Sequence, residues 1–237
     1  MNKYTFKTFV VGSSNRLAYE SAKKVAQRPG KAFNPLLICG ATGLGATHLM
    51  RAIGHTVIKR NRDAKTAFIT GEAFTDGFVH ALQHRRLPGF RKHYRDLDVL
   101  LLDDVQFFAG KESTQAELTM IFNDLLAAHK QIVLTSDRPV VKITNFSPRL
   151  ASLCASGLIT PLSAPDRETR IAILRKMRKA LKVMVPDKVL EQIARHVHTD
   201  IRRMVGALIR VAADISLVPR QLTTANVDHI MRDYGVD

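Results

Sequence analysis

Short apolar runs alternate with stretches whose apolar residues recur every three or four positions, and this alternation lasts as far as Pro165. Leu36–Cys39, Lys65–Thr70, Asp98–Asp104, Gln131–Asp137 and Gly157–Pro161 read as strands. The run Val99-Leu100-Leu101-Leu102 is continuously apolar, as expected of a parallel strand covered on both faces. Asn15–Gln27, His48–Lys59, Phe74–Leu82 and Ser113–Ala128 carry the helical period between them. Ser13 or Ser14 is placed to cap the first helix, and Arg28-Pro29-Gly30 to stop it. Tyr4–Asn15, with alternating aromatics and hydroxyls, is expected to lead in as extended chain. From Asp166 onward strand signals vanish. Asp166–Leu181, Asp187–His198, Ile201–Ser216 and Thr224–Tyr234 read as helices, with Asp166 and Pro186-Asp187 as starts. The pattern predicts an α/β fold: a five-stranded parallel sheet with helices on both faces, followed by a small helical lid. The expected division is 1–165 for the sheet and 166–237 for the helices.

Composition changes this picture in one respect. The 237 residues carry a formal net charge of +15, with a hydrophobic share of 46% that is ample for a folded core. Such a basic excess favours polyanions, nucleic acid first, over a basic surface with no dedicated partner. The two cysteines, Cys39 and Cys154, provide neither a zinc knuckle nor a disulfide framework. The start lacks the apolar core of a signal peptide, and no apolar run reaches membrane-spanning length, so a cytoplasmic protein is expected.

Two stretches suggest chemistry. Gly40-Ala41-Thr42-Gly43-Leu44-Gly45-Ala46-Thr47 lies between a strand and a helix, the setting in which backbone N–H groups and a helix N-terminus bind phosphate. It satisfies G-x-x-x-x-G-K-[ST] except at Ala46, which stands where the motif has lysine. The second stretch is Asp103-Asp104 at the end of the apolar strand. Ligands of open α/β sheets bind at that edge. One aspartate is suited to Mg²⁺ and the other to orienting an attacking water; the plain alternative is an acidic turn that ends a strand.

Several in-order segments resemble the AAA+ domain of the bacterial replication initiator DnaA and its regulatory relative Hda. They are Tyr4-Thr5-Phe6, Phe9-Val10-Val11-Gly12, Ser14-Asn15, Asn34-Pro35-Leu36, Gly43-Leu44-Gly45-Ala46-Thr47-His48-Leu49, Asp103–Phe108, Leu134–Arg138 and Gly206–Arg210. The resemblance covers nearly the whole chain. It implies a P-loop AAA+ fold, ATP or ADP with Mg²⁺ as cofactors, and single-stranded DNA and a self or initiator oligomer as partners. Position by position it implies Val10, Gly12 and Asn15 at the adenine pocket. Gly43, Leu44, Gly45, Ala46, Thr47 and His48 fall in the phosphate loop, with Thr47 and Asp103 on the metal. Asp104 is implied at the attacking water, Asp137 as first sensor and Arg202 as second. Val79 and Lys111 match DNA-contacting positions, and Arg149 matches a subunit contact. Taken singly, Arg202 also fits an ordinary surface arginine, and Lys111 a solvated loop cation. The chain stops about where that family's ATPase module ends, which implies a trimmed chain or a short relative lacking the partner-binding and helix-turn-helix domains.

Three departures from the pattern bear on function. Ala46 removes a charge-assisted phosphate contact worth roughly 1.5–3 kcal/mol. Ser152-Leu153-Cys154 stands where the family has its arginine finger, and Leu153 cannot neutralise transition-state charge. Ser113 replaces the second basic residue of the DNA-contact pair. Three functional expectations follow. One is an initiation module that binds adenine nucleotide and DNA, with impaired or absent hydrolysis. Another is a non-catalytic regulator of a full-length initiator. The third is an active helicase-loader or transposition-helper ATPase, which the Asp103-Asp104 pair and the Asp104–Phe108 run argue against.

Overall fold

The computed structural model describes residues 4–198, 200–217 and 227–228. Five strands, β1 (Leu36–Cys39), β2 (Thr66–Thr70), β3 (Val99–Asp103), β4 (Gln131–Ser136) and β5 (Leu158–Pro161), form one sheet in the order β2-β3-β4-β1-β5. All four pairings are parallel. The helices among them are α1 (Arg16–Gln27), α2 (Ala46–Arg60), α3 (Gly71–Gln83), α4 (Leu87–Arg95), α5 (Glu112–Ala127) and α6 (Pro148–Ala155).

Side-chain alternation along β3 explains why the strand is apolar throughout. Leu100 and Leu102 join Phe74, Tyr94, Phe108, Leu118 and Phe122 in one core. Leu101 faces the other way, onto α2, where Gly54 leaves room for it; a Cβ there would come within 2.6 Å of Leu101 Cδ1. A strand packed on both faces needs apolar residues at every position, which the alternating pattern of a half-solvated sheet would not supply.

The chain divides into two compact units. One comprises residues 1–9, 17–41 and 46–162; the other comprises 10–16, 42–45 and 163 onward. The second unit holds α7 (Arg167–Leu181), α8 (Asp187–His196) and α9 (Ile201–Leu217). Its own core gathers Leu174, Leu190, Ile193, Met204, Leu208 and Val211, with Val10 packed against it. As expected, Asp166 caps α7, its carboxylate accepting the Thr169 N–H at 2.7 Å. The helix expected over Thr224–Tyr234 lies outside the described residues except at 227–228, which are helical.

The local structure differs from expectation in three places. Residues 5–9 form a hydrogen-bonded turn in place of an extended lead-in. Thr8 and Phe9 N–H both reach Thr5 O, and the two threonine hydroxyls cap each other's backbone N–H. Hydroxyls three residues apart thus close a turn that alternation alone would read as strand. Neither serine caps α1: Ser13 donates to Asp166 at 3.0 Å, and Ser14 Oγ is buried without a partner among the described residues. The cation-dense run after α3 contains the helix α4, whose Tyr94 is buried beneath its basic face. No helix among the described residues is long and apolar enough to cross a membrane.

Candidate functional site

The site is built from strand ends. β3 delivers Asp103 to the C-terminal edge of the sheet, and its neighbour β4 delivers Thr135. The Thr135 hydroxyl makes a 2.5 Å hydrogen bond to Asp103 Oδ1 and accepts the Asp104 N–H at 2.8 Å. The first turn of α2 adds Thr47, whose hydroxyl donates to the same Oδ1 at 3.2 Å. Asp103 is 5% exposed. Burial pushes its carboxyl up from the usual range, and the Asp104 charge adds to the rise; the hydroxyl bonds and Arg51 pull the other way. Two hydroxyls therefore contact a buried carboxylate that forms no ion pair among the described residues, Arg51 acting on it only at longer range.

Asp104 stands in the left-handed region at φ 63°, and its side chain is exposed. Gln106 links it to the next strand end, donating to Asp104 Oδ1 at 2.9 Å and accepting the Asp137 N–H at 3.3 Å. The Asp137 carboxylate is engaged by both Nε and Nη2 of Arg138, at 2.8 and 2.7 Å.

The hydroxyl and carboxylate oxygens of Thr47 and Asp103 fit a hard dication such as Mg²⁺, and the buried negative charge gives it reason to bind there. The phosphate side fits less completely. Gly43 and Gly45, at φ +90° and +106°, give the loop its turn, but Ala46 offers only a methyl group at the start of α2.

The second unit places the remaining expected residues. Asn15, 5% exposed, ties its segment together: Oδ1 accepts the Gly12 N–H at 2.9 Å, and Nδ2 donates to Val10 O at 3.0 Å. Gly12 packs so closely on α7 that a Cβ would lie 2.2 Å from Thr169 Oγ1. At Gly43 a Cβ would lie 2.2 Å from Asp200 Oδ1, and that same oxygen accepts the Arg202 N–H at 2.7 Å. A carboxylate thus stands against the glycine loop, in line with the start of the helix that carries Arg202.

The other expected residues are not drawn into this cluster. His48 holds the N-terminal turn: its Nε2 is 3.0 Å from Thr5 O, and its ring meets Tyr4 and Phe9 edge-on. Val79 is exposed on α3. Lys111 Nζ lies 3.3 Å above the Phe107 ring and donates to Phe107 O. Arg149 is exposed in the first turn of α6, while Leu153 packs against the sheet core. Sequence reasoning missed Thr135 and Gln106. A hydroxyl near the end of the apolar strand Ile132-Val133-Leu134 was the available signal for the first.

A parallel sheet in this order, with a glycine loop after β1 and an acidic pair ending β3, defines the AAA+ class of P-loop folds. The family of bacterial DnaA ATPase domains matches residues 1–161. Domain III of the replication initiation protein DnaA from Thermotoga maritima is 38% identical with TM-score 0.93, over 99% of this chain and 98% of that one. AMPPCP-bound DnaA from Aquifex aeolicus is 34% identical with TM-score 0.83, over 90% and 66%. A replication initiator DnaA bound to AMPPCP and single-stranded DNA is 33% identical with TM-score 0.85, over 98% and 69%. The chain belongs to the bacterial DnaA ATPase domain family.

Proposed function

We propose that this chain is a DnaA-type module of replication initiation that binds adenine nucleotide with Mg²⁺ and contacts single-stranded DNA in the cytoplasm, with little or no hydrolysis. The observation that carries the reading is the Thr47–Asp103–Thr135 cluster beside a glycine loop whose lysine is replaced by Ala46. In this reading Thr47 and Asp103 hold Mg²⁺, and the N–H groups of the 43–47 loop hold phosphate. By the likeness to DnaA, Val10, Gly12 and Asn15 are assigned to the adenine, Asp104 and Asp137 to the reacting phosphate, and Arg202 to the role of second sensor. The exposed Val79, the half-buried Lys111 and the +15 charge support the DNA contact. The likeness to a DnaA bound to AMPPCP and single-stranded DNA supports both ligands.

The test is equilibrium binding of fluorescent ATP and ADP with Mg²⁺, comparing the chain with Ala46→Lys. The added ammonium is worth roughly 1.5–3 kcal/mol, so binding should tighten about ten- to hundredfold. Absence of binding in both proteins would overturn the nucleotide reading.

Leu153 supports a second reading, a regulator that associates with a full-length initiator without catalysis. Its side chain is packed against the core at the arginine-finger position. Light scattering that finds no association between this chain and a full-length initiator would count against it.

A further inference from the structure

Asp200 gives the glycine loop a negative neighbour. It belongs to the same compact unit as residues 42–45. At Gly43, held at φ +90°, a Cβ would lie 2.2 Å from Asp200 Oδ1 and 2.7 Å from its Cγ, so the carboxylate rests directly on the loop backbone. The first turn of α9 fixes it there: Oδ1 accepts the Arg202 N–H at 2.7 Å and the Arg203 N–H at 3.2 Å. Oδ2 has no hydrogen-bond or ion-pair partner among the described residues. Capping a helix needs only a side-chain oxygen, which asparagine supplies as well as aspartate does. The charge is therefore not required by the cap, and its effect falls on the loop. Backbone N–H groups in such a loop attract phosphate, and a fixed carboxylate against the same backbone opposes that attraction. Ala46 stands where a lysine would have outweighed it.

We propose that Asp200 is a specificity-determining residue of the glycine loop: its charge weakens the binding of polyphosphates, and weakens it most for ATP, holding the preference of the site toward ADP. The proposal rests on the nucleotide reading above. Coulomb repulsion grows with the charge of the ligand, and the γ-phosphate adds negative charge that ADP lacks. Ala46 and Asp200 act in the same direction, one withholding a cation and the other adding an anion. Arg202, assigned to the second sensor, works the opposite way from two residues further along, so the selectivity of the site is the balance of the two charges.

The experiment is equilibrium binding of fluorescent ATP and ADP with Mg²⁺ to the full chain and to Asp200→Asn, at low and at high salt. Asp200→Asn keeps the cap, and an unchanged urea midpoint checks that it does. It should bind ATP about tenfold tighter and ADP about threefold tighter, and both gains should shrink as salt is added. A change in packing alone would favour neither the more charged ligand nor low salt. Asp63→Asn, at an exposed aspartate in the turn after α2, alters the net charge equally and should leave binding unchanged. Binding by Asp200→Asn where the parent binds nothing would also support the proposal. Equal affinities in the parent and Asp200→Asn overturn it and leave the nucleotide reading standing, as does a gain that is the same for ATP and ADP and indifferent to salt. No binding by the parent, Asp200→Asn or Ala46→Lys overturns both.

Discussion

The two ends of β3 carry the same residue type in opposite electrostatic conditions. Asp98, just before the strand, accepts from Lys130 Nζ at 2.7 Å and from the Lys65 N–H at 2.9 Å. The Lys130 bond, seconded by the backbone bond, holds its carboxyl below the usual range. Asp103, at the other end, has two hydroxyls and, among the described residues, no cation in contact, and burial pushes its carboxyl up. One end is electrostatically complete within the protein. The other holds a buried charge that a dication would neutralise. The difference separates a carboxylate that serves folding from one that is available to a ligand.

The sharpest way to break this comparison is through Thr135. Thr135→Val keeps the shape but removes the only donor β4 gives Asp103 and the acceptor for the Asp104 N–H. Leaving these groups unsatisfied costs about 1–3 kcal/mol, read as a lower urea midpoint at neutral pH. An unchanged midpoint would mean that the strand-end cluster is not part of the folded framework. A smaller loss is expected at the other end. Asp98→Asn keeps an acceptor for Lys65 but loses the ion pair. Both partners are about a third exposed or more, so solvent screening holds the effect to about 0.5–1 kcal/mol. That loss should shrink in acid: the Asp98 contribution is present above the unfolded value near ~3.9 and disappears as pH falls through its lower folded value.

The contrast between the two ends was only half legible in the sequence. The continuous apolar run in β3, flanked by aspartates, announced a buried parallel strand, and the glycine loop announced where its C-terminal end would lead. Which aspartate was paired was not legible, because Lys65 and Lys130 are distant in sequence and meet Asp98 only through strand pairing. Thr135 was hidden for the same reason: its partner lies on the neighbouring strand. α4 was obscured by its cations, although Leu87, Phe90 and Tyr94 keep helical spacing. α6 was visible only as a basic-apolar segment, so its Leu153 was read as a missing arginine before it was seen as a core contact.

The finest test reverses the sign. Because burial raises the Asp103 pKa, the native state binds that proton more tightly than the unfolded chain does. Charging the group therefore lowers native stability. The cost is in force above the folded pKa and vanishes as pH falls below the unfolded value near ~3.9. Asp103→Asn removes the charge, so the ligand-free variant should be slightly more stable than the parent at pH 7, by less than Asp98→Asn loses, with the advantage fading in acid. The two aspartates at opposite ends of β3 would then show opposite pH dependences in the same urea series. The same Asp103→Asn protein should lose the Mg²⁺ dependence of nucleotide binding, since an amide oxygen brings no charge to the metal. If the variant were instead destabilised at pH 7 and retained that dependence, Asp103 would belong with Asp98 as a structural carboxylate. The metal would then have to be sought on Asp104 or Asp137.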